Sequence, residues 1–121
     1  MPVQAVRGAI QLAADSPEAM TEGVGRLLSR MLEANGFTEE NIVSILFSQT
    51  TDLCAENPAR ALRRSGFAHT PLFCTSEPSY PDSLPRVVRV LVTVEVGERF
   101  EVRPVYLDGA RRLRPDIPEP G

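Results

Sequence analysis

At 121 residues, with 42% hydrophobic and 24% charged content, the chain suits one domain that buries about two-thirds of its unfolded surface, and no second domain need be sought. A net charge of -3 and few aromatics (five Phe, two Tyr, no Trp) argue against a nucleic-acid surface, and no apolar run approaches the ~18 residues of a membrane span. Cys54, Cys74 and the single histidine, His69, lack metal-ligand spacing, and all 13 basic residues are arginine, which excludes lysine general bases and Schiff-base chemistry.

The start, Met1-Pro2-Val3-Gln4, lacks the basic and apolar regions of a signal peptide, so a cytoplasmic address is expected, with both cysteines as free thiols. Val3 to Leu12 reads as a strand. Ser16-Pro17 marks a helix start, serine at the N-cap and proline at the first helical position, where its missing N–H costs nothing. Met20, Val24, Leu27, Leu28, Met31 and Leu32 then recur on one helical face until Asn35-Gly36 ends the helix. Thr38-Glu39-Glu40-Asn41 predicts a capped turn, and Ile42 to Thr50 a buried strand. Thr50-Thr51-Asp52 offers a cap for a short helix over roughly Pro58 to Arg64, closed by Ser65-Gly66.

Pro71 to Thr75 predicts a third strand, broken at Pro78. A loop punctuated by Pro78, Pro81 and Pro85 leads into a long valine strand from Arg86 to Val96. Gly97 is expected to turn that strand into a hairpin, with Phe100 to Leu107 returning as the last strand. The segment from about 115 to 121 holds three prolines and is expected to be irregular. The order β-α-β-α-β-β-β indicates an α+β fold, a mixed sheet with helices on one face.

Strand periodicity singles out Arg89. Val88, Val90, Val92, Val94 and Val96 share one face and must be core, whereas Val87, Arg89, Leu91, Thr93 and Glu95 share the other. A half-polar face suits a subunit interface or a pocket wall. A guanidinium held between Val87 and Leu91 needs an anion, either a protein carboxylate such as Glu95 or a ligand. Arg7, beside Gly8 in the first strand, carries the same ambiguity. Arg60, Arg63 and Arg64 read most simply as the solvated side of the short helix, Arg111, Arg112 and Arg114 as exposed charges, Cys74 as inert core, Glu77 as a turn residue and Tyr106 as a packing group.

Taken together these residues form a pattern. Val6-Arg7-Gly8-Ala9, Pro58-Ala59-Arg60-Ala61-Leu62-Arg63, Cys74-Thr75-Ser76-Glu77, Leu84-Pro85-Arg86-Val87-Val88-Arg89-Val90, Val105-Tyr106-Leu107 and Leu113-Arg114-Pro115-Asp116 occur in an order and spacing that closely resembles the trimeric, monofunctional chorismate mutases of the AroH type. Asn57 departs from that pattern, in which an aromatic is usual.

The resemblance spans Val6 to Ile117. It implies a homotrimeric pseudo-α/β-barrel with active sites between subunits, and the [3,3] rearrangement of chorismate to prephenate without cofactor or metal. Onto the matching positions it carries Arg89 as donor to the ether oxygen and a substrate carboxylate. It makes Arg7 a carboxylate ligand and Glu77 the acceptor from the ring hydroxyl, with Cys74 nearby. Tyr106 would lie at the enolpyruvyl carboxylate, with Phe73 lining the pocket. Arg60 and Arg63 would come from the neighbouring subunit and Leu113 from a closing C-terminal segment. An intersubunit hydrolase of 2-imino acids of the Rid type, and a non-catalytic trimer binding an anionic metabolite, are the alternatives.

Overall fold

The computed structural model describes residues 1–117; the last part of the expected irregular tail, 118–121, lies outside the described residues. Strand β1 (Val3–Gln11) leads to helix α1 (Pro17–Asn35), then a 3₁₀ turn (Glu39–Asn41) and strand β2 (Ile42–Gln49). Helix α2 (Pro58–Arg64) and strands β3 (Leu72–Ser76), β4 (Val87–Glu95) and β5 (Val105–Leu107) follow, and a 3₁₀ helix (Asp108–Leu113) comes after β5. The five strands form one sheet in the order β3-β2-β4-β1-β5. β4 runs antiparallel to both β1 and β2, while β2 with β3 and β1 with β5 are parallel pairs.

α1 forms where its local signals place it. The Ser16 hydroxyl accepts from the Ala19 N–H at 3.1 Å, Pro17 opens the first turn, and Gly36 closes the helix at φ 67°, a left-handed conformation that glycine adopts without a Cβ penalty. Its stripe of Met20, Val24, Leu27, Leu28 and Met31 is fully buried against Val6 and Ile10 of β1, Ile45 and Phe47 of β2, and the even-numbered valines of β4. Gly8 lets α1 approach so closely: a Cβ there would lie 2.6 Å from the Met31 sulfur and 3.1 Å from the Val105 carbonyl oxygen. The helices thus cover one face of the sheet and leave the other open.

Three local expectations differ from the structure. α2 is capped by Asn57, whose Oδ1 accepts from the Ala59 and Arg60 N–H groups at 2.8 and 3.2 Å, and not by Thr50-Thr51-Asp52. Asp52 instead accepts the Arg86 backbone N–H on both carboxylate oxygens, and the Thr50 hydroxyl accepts the Val87 N–H. These two side chains fix the start of β4 after Arg86, which sits at φ 55°. β2 is buried on one face only, since Val43 and Leu46 remain exposed.

The third difference concerns the last strand. It spans three residues and pairs in parallel with β1 on the far side from β2, so β4 and β5 form no hairpin. The preceding stretch is held by side-chain amides in place of a ladder. Gln4 brackets Phe100, donating to its carbonyl at 2.8 Å and accepting from its N–H at 2.9 Å, and Asn35 brackets Arg103 in the same way at 3.0 and 2.8 Å. An amide that presents both a donor and an acceptor replaces a neighbouring peptide, so these backbone groups are satisfied without a strand.

Candidate active site

The register lines up side chains across the open face. Thr75 on β3 pairs with Ser48 on β2, Ser48 with Arg89 on β4, Arg89 with Ala9 on β1, and Ala9 with Tyr106 on β5, giving one transverse row. The next row is Phe73, Leu46, Leu91 and Arg7. Because strand side chains alternate, the residues between these rows face the helices. The two rows enclose a cleft of about 240 Å³ lined by Arg7, Leu46, Ser48, Thr75, Arg89 and Tyr106 among others.

Arg89 answers the question its strand position raises. Its partner is Glu77, just past β3, and not Glu95, which is exposed at the far end of β4. The Glu77 N–H is tied to the Gln49 carbonyl at 2.8 Å, continuing the parallel ladder one residue beyond β3. Its Oε1 then accepts from Arg89 Nε at 2.9 Å and from the Ser48 hydroxyl at 2.9 Å. Among the described residues, Glu77 Oε2 accepts no hydrogen bond and both Nη groups of Arg89 donate none. A guanidinium has five N–H groups, so four remain for a ligand beside a carboxylate oxygen that can still accept. The pair thus presents a planar donor fork and an acceptor side by side.

Tyr106 is buried and packs with Ala9, Val87 and Ala110, and Leu113 and Ile117 pack against that cluster. Leu113 of the 3₁₀ helix therefore lies over the end of the site that Tyr106 forms. Arg114 pairs with Asp116 at 2.9 Å; the hydrogen bonds to Asp116 hold the guanidinium above its usual range, with Tyr106 adding to the effect.

The structure does not bring Cys74 to the cleft. Its register partner is the fully buried Phe47, its side chain packs against the core, and its thiol donates to Gln49 Oε1 at 3.4 Å. Burial pushes the thiol above its ordinary range, so it is neutral at pH 7. The opposite parity of Cys74 and Glu77 persists to the end of β3 with no bend to merge their faces. The backbone of Cys74 is differently placed. Pro71 and Glu77 bond to β2, so alternation along a parallel ladder turns the N–H and C=O of Cys74 to the free outer edge of the sheet.

Arg60 and Arg63 also stand apart from Arg89. With Asn57, Arg64 and Leu72 they line a second, more open depression of about 540 Å³. Arg64 and Arg60 clamp Glu56 at 2.6 and 2.7 Å, and the hydrogen bonds from Arg64, the Asn57 N–H and Arg60 hold the carboxyl down at about 2. Arg63 Nη1 donates to the carbonyls of Phe67, Ala68 and Thr70, which pins the loop before β3. Within one chain, then, Arg7, Glu77, Arg89 and Tyr106 gather on the open face, Phe73 lies beside them at the sheet edge, and the α2 arginines form a separate basic surface. Sequence reasoning missed Ser48, although strand alternation already places it on the face of Leu46. It also missed Glu56 as the partner of two arginines.

Residues 3–117 match the chorismate mutase type I family. The chain is 43% identical over 117 residues to the chorismate mutase AroH of Thermus thermophilus, covering 95% of this chain and 96% of that one. It is 34% identical over 119 residues to the chorismate mutase AroH of Bacillus subtilis (strain 168), covering 97% and 94%. The fold matches a solved chorismate mutase from Clostridium thermocellum with a TM-score of 0.85 at 35% identity, over 90% of this chain and 98% of that one. The chain belongs to the type I chorismate mutase family.

Proposed function

We propose that the protein converts chorismate to prephenate in the cleft around Arg89, and that this cleft is completed by α2 and the β3 edge of a neighbouring copy in a homotrimer. Chorismate is a dianion with two carboxylates, which suits a site whose cations are all arginine and bind in planar, bidentate fashion. The reaction is intramolecular. The ether C–O bond breaks as a C–C bond forms, so no nucleophile, proton relay or redox partner is required.

As the C–O bond lengthens, negative charge gathers on the ether oxygen. Donors fixed at that point interact more strongly with the transition state than with the substrate, and that difference lowers the barrier. The observation that carries this reading is the orientation of Arg89. Its Nε is committed to Glu77, its two Nη groups bond none of the described residues, and its side chain lines the cleft. In this reading Glu77 Oε2 accepts from the ring hydroxyl, Arg7 holds a carboxylate, and Tyr106 and Leu113 close the enolpyruvyl end.

Two features support assembly. Phe73, Leu46 and Leu91 form an exposed apolar strip beside the arginines, with Phe73 66% exposed, and such strips mark interaction surfaces. The α2 arginines form a second basic surface that cannot reach the first within one chain. Incubation of the purified protein with chorismate, followed by its loss of absorbance and by identification of the product, tests the reading. Prephenate formation at enzymatic rates is expected; chorismate left unchanged by a folded trimer would overturn it.

A further inference from the structure

We infer that Ser48 is a positioning residue for the reaction: its hydroxyl holds Glu77 on Arg89 through one oxygen only, and so keeps the guanidinium fork free for substrate. The inference rests on the reading of the Arg89 cleft as the chorismate site. Arginine and carboxylate side chains favour a fork-to-fork pair with two parallel N–H···O bonds. Here the pair is single: Arg89 Nε meets Glu77 Oε1 at 2.9 Å, and Oε2 takes no donor from the described residues. The group that competes is Ser48, which faces Arg89 directly across the β2–β4 pairing and donates to the same Oε1 at 2.9 Å.

Two donors on Oε1 from two adjacent strands fix the carboxylate plane. Were the hydroxyl absent, the carboxylate could turn so that Oε2 also bonds an Nη group. One donor meant for the substrate would then be lost to a protein salt bridge, and the acceptor meant for the ring hydroxyl with it. Ser48 is half-buried near the C-terminal end of β2, with its neighbours Phe47 and Gln49 on the opposite face. Its hydroxyl therefore has a task that packing does not explain.

Ser48→Ala, Ser48→Thr and Ser48→Ala combined with Glu77→Gln test this together. Ser48→Ala should lower kcat about tenfold, the effect of one hydrogen bond to a charged group, with the melting temperature and KM little changed. Ser48→Thr keeps a hydroxyl on a strand and should restore activity. In the Glu77→Gln background the amide has one acceptor oxygen and cannot form the two-point pair, so Ser48→Ala should cost less than about twofold there. A crystal structure of Ser48→Ala should show Glu77 bonded to Arg89 through both oxygens. Wild-type kcat in Ser48→Ala, an equal loss in both backgrounds, or a carboxylate still bonded through one oxygen would each overturn the inference. Failure of the wild-type protein to convert chorismate would instead remove the functional reading, and the crystal structure of Ser48→Ala would still decide whether the hydroxyl sets the pair's geometry.

Discussion

Replacing Arg89 by lysine keeps the charge and removes the fork, which separates electrostatic attraction from oriented donation. Arg89 commits Nε to Glu77 at 2.9 Å, and in the proposed site its Nη groups, which bond none of the described residues, meet the ligand. A lysine ammonium on the same strand position is a single point, and the Glu77 carboxylate draws it in. At least one preorganised donor to the ether oxygen is then lost, which typically costs about 2.7–4 kcal/mol, or 10²–10³ in kcat. Substrate attraction by net charge persists, so KM should rise far less. The fold should hardly notice. The Arg89 and Glu77 side chains are 42% and 17% exposed, and such a pair contributes about 1 kcal/mol or less, most of which an ammonium retains. The melting temperature should therefore stay within about 4 °C of wild type. Initial rates of chorismate loss, read beside a thermal melt, decide the matter. Arg89→Lys with a kcat within tenfold of wild type would refute the argument, because charge alone would then suffice.

Glu77→Gln should be milder than Arg89→Lys, about tenfold or less in kcat, because an amide oxygen still accepts from Ser48 and Arg89; a larger loss, measured in the same assay, would give the negative charge itself a role. Gly8→Ala should destabilise the fold by about 1–3 kcal/mol in urea unfolding, since the added carbon meets the Met31 sulfur at 2.6 Å and the Val105 carbonyl at 3.1 Å. A change below about 0.5 kcal/mol would mean that the Met31 side chain moves aside and the contact does not limit the approach of α1. Glu56 is held at about 2, below its ordinary 4.5, by Arg64, the Asn57 N–H and Arg60. Its contribution to stability is thus fully present above pH 4.5 and is lost as pH falls toward 2. Glu56→Gln should be less stable than wild type at neutral pH and should lose less on acidification through that window; parallel acid melts of the two proteins would contradict the clamp.

Much of this architecture is legible in the sequence because its signals are local. Ser16, Pro17 and Gly36 bound α1, and the valine alternation assigns both faces of β4. Non-local choices were not legible. Whether Val105–Leu107 pairs with β4 or crosses to β1 depends on which partner satisfies the preceding backbone, and Gln4 and Asn35 do so from distant parts of the chain. Thr50 and Asp52 have the chemistry of a helix cap, and they do cap backbone N–H groups, but those of Arg86 and Val87. At the site, Arg89 stood out because a cation in an apolar strand requires an anion. Its partner was hidden, since Glu77 lies past the end of a strand two positions across the sheet. Asn57, unusual beside the family pattern, has a local task as the α2 cap. The mutase relatives lend no support to the imine-hydrolase or non-catalytic readings.

The most direct test of the account mixes two variants that the proposed site expects to be inactive. Arg89→Ala removes the fork from one side of each site, and Arg63→Gln removes the charge from the other while keeping an N–H for the loop carbonyls. Unfolded together and refolded into mixed trimers, they should regain activity at about a quarter of the sites, those pairing an intact Arg89 face with an intact α2 from the next copy. Mixed trimers that stay as inactive as either parent would contradict a site in which Arg89 of one copy and Arg63 of another act on one chorismate.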